Sequence, residues 1–344
     1  MHQPSETGSD SGHSTPITLA IYREIRVGMA VIMVMLAAAI AIDGMSAKHL
    51  QGALSEYFYT SAHSVFIAAL LALSTLFFVY KGSNDTEDAL LTLAGVCTLT
   101  AALVPQVRPY NVYSPNRLPE DYNPMAVILP NVGAVAVALF LGWSLTWWLH
   151  RRNDSKQKDT KQKRSPGGTL SLYLLRLTVV VGLIALLIAV RVPSFRPLFA
   201  QSAHGIAGTL MIVSFIGTVF CTAYVVRQQE ESRHRRRYLV FYRAMAGGML
   251  VTLIAVVALH IARPHLFGEL WIFVLESLLI LEFAAYWVVQ TVELWDTPDR
   301  MERLRKDAMD RLAERPMKGG RDGLKSDLVE AMKYPRGQRL LPLL

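Results

Sequence analysis

SLYLLRLTVVVGLIALLIAV, residues Ser171 to Val190, contains a single charged side chain, Arg176. As a helix, a run of about 20 residues rises roughly 30 Å, the thickness of the hydrocarbon core of a bilayer. Arg176 sits about one turn inside the run, where its long stem lets the guanidinium snorkel to the nearer interface. The preceding flank is of opposite character, with Arg151, Arg152, Lys156, Lys158, Lys161, Lys163 and Arg164 in one short stretch. A long apolar run behind a basic block reads as a transmembrane helix.

The same alternation repeats along the chain. Apolar runs occur at Val27–Met45, Ala62–Tyr80, Ala89–Val104, Met125–Leu149, Ser171–Val190, Ala203–Val226, Phe241–Ile261 and Leu266–Val292. Charged residues make up 18% of the 344, against about a quarter in soluble domains, and mean hydropathy is +0.30. A soluble core could not hide so many such runs. The expected fold is therefore all-α, a polytopic transmembrane helix bundle of about eight spans.

Loop charge sets the orientation. The loop at 150–170 and the stretch Arg227–Arg237 carry dense blocks of Lys and Arg, whereas Lys48, Arg108, Arg117, Arg191, Arg196 and Arg263 are scattered over four other loops. The rich set belongs in the cytoplasm. With eight spans both termini are then cytoplasmic, in a cell (plasma or inner) membrane. The net charge of +8 is explained by this bias and by anionic headgroups, so no nucleic-acid partner is expected.

Outside the bundle domain at 23–296, the reading is of a disordered cytoplasmic leader at 1–22 and a cytoplasmic tail at 297–344. In the tail, Met301, Leu304, Ala308 and Leu312 share one face of a helix over about Asp299–Glu314. Such a helix docks on the bundle, lies in the interface or binds a protein partner. Cys97 and Cys221 fall singly in different spans and form no disulfide framework or metal-finger spacing. Trp143, Trp147, Trp148, Trp287 and Trp295 lie near span ends and read as an interfacial belt.

Ionisable residues within spans are costly and usually face a cavity or a partner. Asp43, His63, Asn131, His204, His260, Glu269 and Glu276 all fall in the outer halves of their spans, a candidate ligand-binding set. Glu276 lies about two turns below Glu269 and is expected to point into the bundle, with His204 or His260 as partner. Glu282, nearer mid-span on another face, needs a partner or a protonated state. His63, His204 and His260 are the candidate metal ligands. Zinc held there would activate water for hydrolysis of a lipid amide or ester. No two of them have the i, i+4 spacing that places two ligands on one helix face, so no cofactor is the first expectation. The chain has no P-loop, GxGxxG turn, GxSxG elbow or HExxH.

Two stretches carry a resemblance. One runs from Leu54-Ser55-Glu56-Tyr57-Phe58-Tyr59-Thr60 through Tyr80-Lys81-Gly82 to Glu87–Gly95. The other is Glu282–Trp295. Together they resemble a group of bacterial multi-span proteins of unknown function, themselves distantly similar to the DRAM/Sfk membrane proteins. The resemblance implies a membrane bundle and no activity. Ser61 and His63 also resemble the early Ser and His of alkaline-ceramidase-like hydrolases, but the late, closely spaced His pair of that group is missing. The expected function is a non-catalytic membrane protein with an outer-half polar pocket contacting lipid or a small ligand. The alternatives are an intramembrane metal-dependent lipid hydrolase and a secondary transporter, for which Pro130-Asn131 would break a helix.

Overall fold

The computed structural model describes residues 16–153, 166–228, 235–297 and 300. Among them are eight α-helices: α1 (Pro16–Ala47), α2 (His63–Val79), α3 (Asp85–Leu103), α4 (Pro124–Asn153), α5 (Pro166–Arg191), α6 (Arg196–Gln228), α7 (Arg235–Ala262) and α8 (Trp271–Glu293). Short 3₁₀ turns stand at Leu54–Tyr59, Pro193–Phe195 and Gly268–Leu270, and the described residues include no strand.

Six segments are long and apolar enough to cross a membrane: Ile17–Ala47, Asp85–Leu103, Thr169–Arg191, Pro193–Arg227, Arg236–Ala262 and Gly268–Glu293. The chain is thus compatible with an integral, multi-pass membrane protein. The helix α2 and the apolar part of α4, Ala126–Gly142, are shorter. At 17 residues α2 rises about 25 Å.

α1, α2, α3, α6, α7 and α8 form a closed ring in which each packs on the next and α8 returns to α1. α5 lies outside against α3 and α6, and α4 touches α3. Small residues bring the ring helices close, as helix contacts in lipid require. On α6, a β-carbon at Gly217 would stand 3.2 Å from Leu90, and on α3 one at Gly95 would stand 3.2 Å from the Ser74 carbonyl of α2. Aromatic rings fill the centre: Phe215 of α6 and Phe283 of α8 stack at 3.9 Å, with Phe77 edge-on to Phe215. Outward, α5 exposes Leu174, Leu177, Val181 and Leu187. So broad an apolar surface is foreign to soluble monomers and suits acyl chains.

The structure departs from the expectations at the Arg26 end of the ring. α1 begins at Pro16, so residues 16–22 are helical where a disordered leader was expected. Tyr22 accounts for this by packing edge-on against Tyr80 at 5.8 Å. Arg26, expected in the flank before span 1, is buried between helices. Trp287 is fully buried against Tyr80, Phe283 and Tyr286, so it belongs to the core and not to an interfacial belt. The side chains of Trp143 and Trp147, the tail helix at 301–314 and most of the basic loop, 154–165, lie outside the described residues.

Candidate functional site

The Asp43 end of the ring is closed by two connecting segments, 48–62 and 104–123. α1 stops where Lys48 takes a φ of +54° and the His49 amide returns to the Gly44 carbonyl. The Gln51 side chain then binds the backbone of Tyr113 in both directions, donating to its carbonyl and accepting from its amide. The His49 and Tyr113 rings stack at 3.7 Å. Leu118 donates its amide to the Tyr59 carbonyl, the Tyr59 hydroxyl donates to the Gln106 carbonyl at 2.6 Å, and Ser55 bonds the Gln106 side chain. Burial, only partly offset by Arg108, pushes the Tyr59 phenol up to about 12, so it remains a donor. Arg108 spends its guanidinium on the Leu118 and Pro119 carbonyls.

Under and beside this cap lie four carboxylates, of which Glu269 is exposed. Asp43 is 2% exposed. Its Oδ1 accepts from both Ser61 and Ser114, at 2.8 Å for the latter, and its Oδ2 has no partner. Glu56 accepts from the Gly52 amide at 2.8 Å. Burial, opposed by the Gly52 and Ala53 amides and reinforced by the Glu269 charge, raises the Glu56 carboxyl above its usual range. Glu276 accepts from the Leu54 amide at 2.8 Å, supplying an acceptor that the first turn of the 3₁₀ segment lacks within itself. Gly52 is needed where it stands, because a β-carbon would meet the Glu269 carbonyl at 3.1 Å. Among the described residues none of Asp43, Glu56, Glu269 and Glu276 forms an ion pair.

The expected site residues therefore divide. Asp43, Glu269 and Glu276 gather around residues 51–57, and Glu56, Ser61 and Ser114 join them. Glu276 faces inward as expected, but its partner is a backbone amide and not His204 or His260. The three histidines do separate work. His63 bonds the Phe58 carbonyl, His204 donates Nδ1–H to the Val104 carbonyl at 2.7 Å, and His260 stacks on Trp271 at 4.2 Å. Among the described residues no group of three or more His, Cys, Asp or Glu is placed to hold a metal ion. Asn131 is exposed on α4, which runs unbroken through Pro130. Glu282 finds the expected partner in Thr252 of α7, at 3.0 Å.

A second polar cluster, at the opposite end, was not anticipated. Arg300 is fully buried, 3.0 Å from Glu293 and 3.8 Å from Glu87, and donates to Ser83 and the Tyr242 hydroxyl. Burial alone would weaken its charge, but Glu293, Tyr242 and Glu87 hold the guanidinium well above its ordinary value. Arg26 donates to the Leu294 carbonyl at 2.8 Å, and Gln290 donates to the Tyr80 hydroxyl. Two arginines against two carboxylates leave this cluster neutral, which suits a structural node. At the Asp43 end, among the described residues, Asp43, Glu56, Glu269 and Glu276 have no such cation against them, which suits a ligand. No protein-family model, curated protein or solved structure matches the chain.

Proposed function

We propose that the chain is an eight-span protein of the cell membrane, with its leader and tail in the cytoplasm. In this reading it binds, without transforming, a cationic group presented at its outer, Asp43 end: the ammonium headgroup of a lipid or a small cationic ligand. One observation carries the reading. Glu56 and Glu276, half-buried at the cap beside an exposed Glu269, form no ion pair among the described residues, and Arg108 nearby is committed to loop carbonyls. Unpaired buried charge is costly, and a cationic ligand would relieve it. The rim supports a lipid occupant, since Leu50, Val107, Tyr110 and Leu266 are exposed at this end and suit a headgroup layer.

Nothing comparable favours the hydrolase or the transporter. The test is thermal unfolding of the detergent-purified chain with phosphatidylethanolamine or phosphatidylglycerol added. The zwitterionic lipid should stabilise the wild type more than the anionic one, and Glu56→Gln should remove the difference. Equal stabilisation by both lipids, or a preference for the anionic one, refutes the reading.

A further inference from the structure

Asp43 presents a sharper problem than its acidic neighbours. Its carboxylate is sealed, with both hydroxyl partners on one oxygen and none on the other. A protonated Asp43 would not resolve this, because an acid hydroxyl at Oδ2 would itself need an acceptor. Near it stands the hydroxyl of Tyr57, fully buried, with the Gln51 backbone against it. That hydroxyl lies 3.7 Å from the position a β-carbon on Gly44 would occupy.

We propose that Asp43, Ser61, Ser114 and Tyr57 form a site for a bare alkali cation, sodium in the first place. The proposal rests on the reading of this end as a cation-binding site and gives one subsite a specific occupant. Every available donor is oxygen, which selects hard cations and disfavours zinc or copper, whose protein sites draw on nitrogen and sulfur. A single carboxylate with three neutral oxygens matches one positive charge. Calcium recruits six to eight oxygens, usually from several carboxylates, and magnesium keeps most of its waters. Asp43 and Tyr57 are buried too deeply for an organic amine, which leaves a bare ion as the occupant. Occupancy would also pin the cap, because Ser61 opens the approach to α2, Ser114 belongs to the 104–123 segment and Asp43 ends α1.

The test uses the full chain in detergent without added lipid. Thermal unfolding is measured in sodium chloride, potassium chloride and N-methylglucamine chloride at equal ionic strength, and radioactive sodium binding is measured directly. Saturable stabilisation by sodium over N-methylglucamine is expected. It should vanish in Asp43→Asn and weaken by about tenfold in apparent affinity in Ser114→Ala, a loop variant that leaves the helices intact. Gly247→Ala, on α7 where a β-carbon meets nothing within 4 Å, should leave it unchanged. A wild type indifferent to sodium, or a sodium effect that survives both Asp43→Asn and Ser114→Ala, overturns the proposal. If sodium binding fails while the lipid preference persists, only this subsite is refuted. Sodium binding that persists without any lipid preference refutes the headgroup reading instead.

Discussion

The Arg300 guanidinium lies 3.0 Å from the Glu293 carboxylate, with neither side chain more than 3% exposed. Seven residues separate them in sequence, and the turn after α8 folds the later residue back into the bundle. Glu87 of α3 and Tyr242 of α7 complete the cage, so one arginine ties three helices together.

Removing that arginine should be costly. Arg300→Met leaves Glu293 and Glu87 buried without a cation, a loss on the order of 3–5 kcal/mol. The expected result is a large fall in the unfolding temperature, with faster amide exchange over 294–297. An unchanged unfolding temperature would mean the cage does not form in the membrane.

Helix spacing makes a second prediction. A β-carbon at Gly95 would press on Phe78 at 3.1 Å and on the Ser74 carbonyl at 3.2 Å, and backbone cannot move aside as a side-chain tip can. Gly95→Ala should destabilise by roughly 1–3 kcal/mol. Gly205→Ala, where a β-carbon meets nothing within 4 Å, should be neutral or slightly stabilising, by up to about 1 kcal/mol. Unfolding temperatures of the two variants, compared side by side, check the contrast.

The raised carboxyl of Glu56 makes stability depend on pH. Its folded value lies above the unfolded reference of 4.5, chiefly through burial. Below 4.5 both states hold the proton and the contribution is fully present. As pH rises through the folded value the buried group must ionise, and the contribution is lost. Glu56→Gln should therefore match the wild type in acid and exceed its unfolding temperature at neutral pH. Parallel pH profiles would remove Glu56 as the cause.

Orientation is open to chemical labelling. Both native cysteines are buried, so background is low. Asn116→Cys, in the exposed part of the 104–123 segment, should react in intact cells with a membrane-impermeant maleimide. Lys81→Cys, exposed at the opposite end, should react only after permeabilisation. The reverse pattern inverts the proposed topology.

The helices were legible in the sequence because apolar runs of bilayer length are a strong one-dimensional signal. All eight runs coincide with α-helices, and six meet the length and composition of a span. Lateral arrangement leaves no such mark. Asp43, Glu269 and Glu276 could be assigned a common end from chain direction alone. That Ser114, 71 residues from Asp43, would bond it could not be read. The second cluster was hidden for another reason. Arg23 and Arg26 look like ordinary flanking charge, and only burial distinguishes Arg26 from a loop cation.

The bond from Arg26 to the Leu294 carbonyl joins residues 268 positions apart. A ribosome adding about 5–20 residues per second needs on the order of tens of seconds to make the second after the first. Throughout that interval α1 is complete and its arginine lacks the Leu294 carbonyl, with the Tyr80 hydroxyl of the next hairpin already within reach. Helices α2 to α7 can pack as they emerge, but the ring closes only when α8 arrives. The newborn chain therefore passes through a vulnerable period in which something other than its own α8 must shelter that charge, and truncation before Leu294 would leave it permanently in that state.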